Sequence, residues 1–404
     1  MTYTIIRLGH HGDGIADGPL FAPRTLPGES IEGELIGDRI AKPKIITPSP
    51  DRITAPCRHY NSCGGCSLQH ASESFVANWK QEIVRTALAA QNIEADLRLI
   101  ATSPPRTRRR AVFTGRRTKK DALVGFHARG SDTITEIPDC HLLHPDLLAV
   151  VPALKALTII GASRKTELRF TVIRSEVGVD VAVNGAKPLD GKIQIKLASM
   201  LGKYGLIRLT WDGELIAEIA APFQVFGETR VVPPAGAFLQ PTPEGQQVLV
   251  SAVLENISGA KHIVDLFSGC GTFSLPMAKQ AEVHAVESDK DMLEALDQGW
   301  RLATGLKRIS TETRDLFRRP LLPDELRRFD AVVIDPPRAG ADQQFLQISL
   351  ARPPKVIAVS CNPVSFARDA RHLTQVGYEM GQITVVDQFR WSSHVELVAS
   401  FTIK

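Results

Sequence analysis

At 404 residues the chain is too long for one ordinary hydrophobic core, so two or three domains are expected. Hydrophobic residues at 43% and charged residues at 23% describe a soluble globular protein and argue against a disordered or membrane-embedded chain. The net charge of +4 is too mild to announce a nucleic-acid partner by itself.

The N-terminus, MTYTIIRLGHHGDG, lacks a basic segment followed by an apolar run, so no targeting peptide is expected. Residues 1–50 read as a small β unit. Short β-branched runs (Tyr3–Leu8, Ser30–Ile36, Lys44–Ile46) alternate with Gly-Asp and Pro-Gly turns, which suggests a five-stranded barrel of the OB type. A Pro-containing link then leads to Cys57, Cys63 and Cys66. The spacing from Phe75 to Gln91 predicts a helix anchored by Phe75, Trp79, Ile83 and Leu88.

Residues 51–235 read as a linker and a central α+β domain, with strand-like runs at Leu123–His127, Glu167–Ile173, Val177–Val183, Gly205–Trp211 and Leu215–Ala220. Between Arg98 and Arg129 ten Lys or Arg residues face one acid, Asp121, a local positive field of the kind that attracts phosphate backbones. The longest apolar stretch, Leu147–Ile160, is interrupted by Pro152 and Lys155 and is too short to span a bilayer. A cytoplasmic protein with no membrane association is the expectation. In that reducing setting six cysteines call for metal binding or catalysis rather than disulfides.

From 236 to 404 the pattern changes. Strand-like runs at Lys261–Leu266, Glu282–Glu287, Phe329–Asp335 and Lys355–Ser360 alternate with helix-length segments, which argues for a Rossmann-like, doubly wound parallel sheet. Gly381–Phe389 and Glu396–Ile403 read as a closing hairpin. Asp265 ends the first strand and is followed by a Gly269-x-Gly271 turn that lets backbone approach a nucleoside closely. Glu287, at the next strand end, is spaced to accept hydrogen bonds from ribose hydroxyls, so an adenosine cofactor is expected.

Two further strand ends carry Asp335-Pro-Pro-Arg338 and Ser360-Cys361-Asn362-Pro363. Ligands bind at such carboxyl ends. Cys270 reads as a small buried hydrophobe, whereas the Asn-Pro turn beside Cys361 favours a nucleophile. Next to a methyl donor, a thiolate that adds to carbon 6 of uracil turns carbon 5 into a nucleophile. A separate base must then remove the carbon-5 proton. Glu396, in His394-Val-Glu396, is the best-situated carboxylate for that task.

Gln240 in Phe-Leu-Gln, the Asp265–Phe273 turn, Asp335-Pro-Pro-Arg-Ala-Gly340, Ser360-Cys-Asn-Pro363 with Ala367-Arg-Asp369, and His394-Val-Glu396 resemble, in that order, the RNA uridine-5 methyltransferase family. The nearest branch resembles the bacterial 23S ribosomal RNA enzymes, and Arg108-Arg-Arg-Ala111 carries the likeness into the central region. The resemblance implies an N-terminal TRAM barrel, S-adenosyl-L-methionine as methyl donor, Cys361 as nucleophile and Glu396 as proton acceptor. It also implies a cofactor pocket containing Gln240, Phe267, Glu287, Asp315 and Asp335. Two positions depart from the family: Thr272, and Pro241-Thr242 after the glutamine, where it often has Asn.

Cys57, Cys63, Cys66 and Cys140 could hold zinc or an iron–sulfur cluster. Only one C-x2-C pair is present, and the resemblance implies a [4Fe–4S] cluster that ties the barrel linker to the central domain. The expected partner is RNA, ribosomal first and transfer RNA as the alternative, with no obligate protein partner evident. A non-catalytic ribosome-assembly factor and an exocyclic-amine methyltransferase are the competing readings. Retention of Cys361, Glu396 and Asp335 argues against the first, and an exocyclic-amine enzyme needs no cysteine nucleophile.

Overall fold

The computed structural model describes residues 1–100 and 102–403. Five strands, Thr2–Leu8, Gly14–Ala16, Leu20–Ala22, Ser30–Ile36 and Arg39–Thr47, close into a barrel around Ile5, Ala16, Ala22, Ile31 and Ile40. Closure removes the exposed edges that so small a sheet would otherwise present.

The helix Glu73–Ala89 begins where the Ser72 hydroxyl accepts from the Phe75 amide at 3.2 Å. It buries two stripes rather than one. Phe75, Trp79 and Ile83 pack with Leu8, Leu26 and Leu68 beneath the barrel. Val84 and Leu88 belong instead to the core of the C-terminal region. The helix is therefore a joint between the barrel and the C-terminal region.

A seven-stranded sheet forms the middle of the molecule, in the order Glu214–Glu218, Leu206–Trp211, Gly178–Asn184, Glu167–Ser175, Arg110–Arg117, Ala122–His127, Ile134–Thr135. Helices Val151–Gly161 and Gly191–Tyr204 pack on it around Phe113, Leu154, Leu157, Phe170 and Trp211. The stretch read only as a basic run, Arg110–Arg117, is one of its strands. Its alternating burial puts Ala111 and Phe113 in the core.

The third sheet runs Ile309–Thr313, Glu282–Glu287, His262–Leu266, Ala331–Ile334, Lys355–Ser360, Glu396–Thr402, Ile383–Val386, Leu97–Ile100. The first five strands are parallel, and Glu396–Thr402 runs antiparallel between Lys355–Ser360 and Ile383–Val386. The strand order reverses between His262–Leu266 and Ala331–Ile334, the point at which a ligand crevice forms in such sheets. Alternate residues feed two cores: Val264 and Leu266 face one, Ile263 the other. The strand Leu97–Ile100 comes from the region read with the central domain, yet it pairs in parallel with Ile383–Val386.

Among the described residues no helix is long and apolar enough to cross a membrane.

Candidate active site

One cavity of about 800 Å³ opens at the carboxyl ends of the parallel strands. Gln240, Phe267, Glu287, Asp315, Asp335, Cys361 and Glu396 all line it. Seven positions spread over more than 150 residues thus converge at the point where the strand order reverses.

The turn after His262–Leu266 is unusual. Phe267 has φ +61°, a left-handed conformation costly for a side chain with a Cβ, and Gly269 and Gly271 follow at +55° and +94°. A Cβ on Gly271 would lie 2.9 Å from Leu296, so glycine lets helix Lys290–Leu302 approach. The Glu287 carboxylate accepts from the Gly269 amide at 3.1 Å and from the Ser288 and Asp289 amides at 2.6 and 3.0 Å. Asp315 accepts from the Phe317 and Arg318 amides. The Phe267 and Phe317 rings lie 5.4 Å apart, giving the cavity an apolar wall beside these carboxylates. Asp265 is fully buried behind the turn, one oxygen accepting from Ser274 Oγ at 2.5 Å, and burial pushes its carboxyl up to about 7.

The Asp335 and Cys361 turns are laced together. Asn362 Nδ2 and Ser365 Oγ both donate to the Arg338 carbonyl, at 2.9 and 3.1 Å. Asn362 Oδ1 also caps helix Pro363–Thr374 by accepting from the Val364 amide. A Cβ on Gly340 would fall 2.4 Å from Asp369, whose carboxylate accepts from the Ala341 amide, which accounts for the Ala-Gly340 and Arg-Asp369 pairs.

Three acidic groups share this end of the cavity. Burial pushes Asp335 up to about 7. Glu396, 3% exposed, is raised by burial and by Asp335. Burial, with Glu396 and Asp335 beside it, pushes the Cys361 thiol up to about 12, although Arg338 opposes the rise. A helix N-terminus alone would have lowered it. At neutral pH the open pocket therefore holds Cys361 as a thiol.

Some expectations need correction. The run from Arg98 to Arg129 is not a free phosphate-binding face. Arg109 is 4% exposed and donates to the Gln240 carbonyl and to the side-chain oxygens of Gln224 and Gln246. Arg110 donates to the Gly236 and Ala237 carbonyls, Arg116 pairs with Glu167 and Arg129 with Asp13. Several of these charges thus hold the central sheet to its neighbours, and Lys119 and Lys120 stay exposed. The departure at Thr242 has a local reason: its hydroxyl caps helix Pro243–Asn256 by accepting from the Gly245 amide at 3.1 Å. Cys270 is a buried core residue, as expected.

Sequence reasoning missed Gln388, whose amide donates to Gln240 Oε1 at 2.7 Å and which lies near enough to Glu396 to oppose the rise of its carboxyl. The available signal was its position two residues beyond Val386, the register partner of Glu396, and so on the same sheet face.

Cys57, Cys63, Cys66 and Cys140 line one small enclosed cavity with Tyr60, Gln69, Phe126, Ile137 and Leu142. All four are free and partly buried. Burial raises the Cys63 and Cys140 thiols and pushes Cys66 up to about 12. The Gly64 amide donates to the His127 carbonyl, where a Cβ would sit 2.6 Å from that oxygen. Among the described residues no group of three or more His, Cys, Asp or Glu is arranged to hold a single metal ion. The segment also touches the active-site loop: the Ser67 and Leu68 amides both donate to the carbonyl of Trp391, at 2.8 and 3.0 Å.

Comparison with known proteins converges with this geometry. Residues 228–401 match the tRNA (uracil-5-)-methyltransferase family. An uncharacterized RNA methyltransferase of Mesorhizobium japonicum is 43% identical over 98% of this chain and 97% of its own, and one of Brucella suis is 40% identical over 99% and 97%. The 23S rRNA (uracil(1939)-C(5))-methyltransferase RlmD of Shewanella piezotolerans is 30% identical over 100% of this chain and 96% of its own. The fold is similar to that of the Pyrococcus abyssi tRNA (uracil-54, C5)-methyltransferase solved with S-adenosyl-L-homocysteine, with TM-score 0.78, 22% identity and 99% of both chains covered. With its barrel, its parallel sheet and a cysteine and a glutamate on one cavity, this chain belongs to the RNA (uracil-5-)-methyltransferase family.

Proposed function

We propose that the protein methylates carbon 5 of a uridine in RNA, with Cys361 as nucleophile, Glu396 as proton acceptor and 23S ribosomal RNA as the substrate. The observation that carries this reading is the shared cavity, which has a thiol and two carboxylates at one end and a phenyl-walled slot with Glu287 and Asp315 at the other.

S-adenosyl-L-methionine, when bound, supplies an electrophilic methyl group and a positive sulfonium charge to a pocket in which burial, with Glu396 and Asp335 beside it, raises the Cys361 thiol. Gln240, Phe267, Glu287, Asp315 and Asp335 are the residues assigned to hold it. Cys361 releases its proton to solvent and, as thiolate, forms a bond to carbon 6 of uracil, and the ring electrons move toward oxygen 4, leaving carbon 5 nucleophilic. Once carbon 5 carries the methyl group, Glu396 takes its proton, the carbon 5–carbon 6 double bond re-forms and the thiolate leaves. The uracil must be unstacked to enter, so a loop is the expected target.

Cys57, Cys63, Cys66 and Cys140 are assigned to a [4Fe–4S] cluster. The support is the donor set, four thiols around one small cavity with apolar walls. Bound there, a cluster would cross-link the linker 57–69 to the central sheet.

Ribosomal RNA is favoured over transfer RNA by the end-to-end likeness to a 23S enzyme. The test is transfer of labelled methyl groups to 23S ribosomal RNA and, separately, to transfer RNA, both from cells lacking this gene. Labelled 5-methyluridine at one ribosomal position is expected. Label in transfer RNA alone would keep the chemistry and overturn the substrate. No label in either would leave the assembly-factor reading.

A further inference from the structure

We propose that the exposed face of the helix Gly191–Tyr204 is a second RNA-docking surface, gripping the phosphate backbone of a paired segment away from the methylated uridine. The inference rests on the family's RNA substrate and extends contact with it to a face remote from the cavity.

The helix starts at Asp190, whose carboxylate accepts from the Ile193 amide at 2.7 Å, and ends at Gly205 with φ +66°. Leu197, Met200 and Leu201 pack on the central sheet, in one core with Val172, Val181 and Val183. Their strand neighbours Thr171 and Ala182 face the other way. A Cβ on Gly236 would lie 3.9 and 3.4 Å from the Cβ atoms of those two residues, and Gly236 lines the catalytic cavity. Successive residues of a strand point to opposite faces. Helix and cavity therefore lie on opposite sides of the central sheet, and RNA held on the helix is a different segment from the one entering the cavity.

Lys192, Lys196 and Lys203 are exposed at positions i, i+4 and i+11 of the helix, with Ser199 between them. At 3.6 residues per turn they form one stripe about 16 Å long. Like charges four residues apart repel, and the helix contains no carboxylate to offset them. Arg164, Lys165 and Lys187 extend the field at its amino end. All three are exposed, and the Lys187 amide donates to the carbonyl of Gly161, three residues before Arg164. None of the six side chains forms an ion pair among the described residues, whereas Lys155 on the adjacent helix pairs with Glu136. The carboxylates of Asp190 and Asp212 accept from the amides of Ile193, Gly185 and Ala186 rather than from a lysine. Arg109, Arg110, Arg116 and Arg129 are engaged within the fold, so this stripe is free where that run is not.

Charge complementarity selects the occupant. A row of unpaired ammonium groups suits a polyanion, and the family's substrate is one. The ring of Tyr204 is partly buried and lies beneath the Lys203 ammonium, 5.1 Å from its centroid. With no free ring along the stripe to stack unpaired bases, it fits the phosphates of a double-helical segment better than a splayed strand.

The test measures RNA binding by the full-length protein as salt is varied. The probes are 23S ribosomal RNA and a short uridine-containing oligonucleotide that spans only the cavity. Lys192→Gln, Lys196→Gln and Lys203→Gln combined in one chain keeps helix propensity, so the urea midpoint should hold. Its slope of log affinity against log salt on 23S RNA should fall by about 2–3, roughly one for each lost phosphate contact. Binding of the oligonucleotide should not change, and arginine at the same three positions should keep the wild-type slope. Lys261→Gln, Lys279→Gln and Lys307→Gln, exposed before three parallel catalytic strands, remove the same charge and should leave the slope unaltered. Equal slopes for wild type and the stripe variant on 23S RNA would overturn the proposal. So would an equal fall in the Lys261 set, which is an effect of net charge alone, or an equal fall on the oligonucleotide. Ile195, 75% exposed beside the stripe, tests for a protein partner instead. Loss of binding to ribosomal particles in Ile195→Ala, with naked-RNA slopes untouched by the lysine changes, would also overturn it. Backbone docking is blind to sequence, so failure of the methyl-transfer reading would appear in the labelling experiment and leave these slopes as they are.

Discussion

The Lys80 ammonium and the Asp387 carboxylate lie 2.5 Å apart with 0% and 1% of their side chains exposed. The pair joins the helix Glu73–Ala89 to the residue immediately before Gln388, and Lys80 also donates to the Phe389 carbonyl at 3.1 Å. Asp387 in turn accepts from Thr102 Oγ1 and the Ser103 amide. A helix that packs under the barrel therefore fixes the loop leading to Glu396.

Breaking that pair on one side strands a buried charge. Lys80→Met is expected to lose about 3–5 kcal/mol of stability in urea unfolding. The double variant Lys80→Met, Asp387→Leu should recover most of it, because no charge is then left unpaired. A double variant as unstable as the single one would mean that the Phe389, Thr102 and Ser103 bonds carry the loop instead.

Cys361→Ala should lower methyl transfer more than about a thousandfold while leaving RNA affinity within about twofold, since the nucleophile contributes to the covalent step rather than to docking. Glu396→Gln should retain methyl transfer onto RNA but trap a protein–RNA adduct stable to denaturing electrophoresis. Turnover surviving in Cys361→Ala would favour chemistry at an exocyclic amine.

Asp265 makes a stability prediction with a definite sign. Its folded-state carboxyl sits at about 7, above the ordinary 3.8. Between about pH 4 and 7 the folded protein keeps a proton that the unfolded chain has lost, so this group's contribution falls as pH rises through that window and is level above it. Asp265→Asn should therefore gain stability relative to wild type from pH 5 to pH 8, as read from urea midpoints. The difference between the two proteins isolates this group from His70. Burial lowers His70 to about 4, so its contribution runs the other way, rising from about pH 4 to 6.5.

The two classes of basic residue should separate by salt. Lys119→Ala and Lys120→Ala, at exposed positions, should each weaken RNA binding and reduce the slope of log affinity against log salt by about 1 if they meet phosphates. Arg109→Met should leave that slope unchanged. It should instead destabilise the fold by about 2–4 kcal/mol and weaken methyl-donor binding, because Gln224 and Gln246 lose their donor and the Gln240 backbone is released.

What could be read from the sequence was whatever is local. Asp335 and Cys361 stand at strand ends marked by Pro, and the strands on which they sit have the apolar runs of a buried parallel sheet, so both strands and candidates were visible. Glu396 was visible from its own motif. Arg109 was misread because counting charges treats every arginine as solvated, while its burial depends on the Gln240 carbonyl and the side chains of Gln224 and Gln246. Gln388 left little trace because nothing nearby in sequence distinguishes a solvated glutamine from one buried against Gln240. The strand Leu97–Ile100 fell within the region read with the central domain for a similar reason: its partner lies in another part of the chain.

That pairing has a consequence for how the protein is made. Leu97 and its register partner Ile383 are 286 positions apart. At about 5–20 residues per second, roughly 15–60 s of translation separates the birth of the two strands. Throughout that interval the early strand has an unsatisfied edge, and the helix ahead of it carries Lys80 without its counter-ion. The barrel and the seven-stranded sheet can close as they emerge, but the catalytic sheet stays incomplete until the last few dozen residues are released. A ribosome stalled before Ile383 would hold a well-folded front half and a methyltransferase unable to form, which makes the nascent chain inactive until synthesis is almost over.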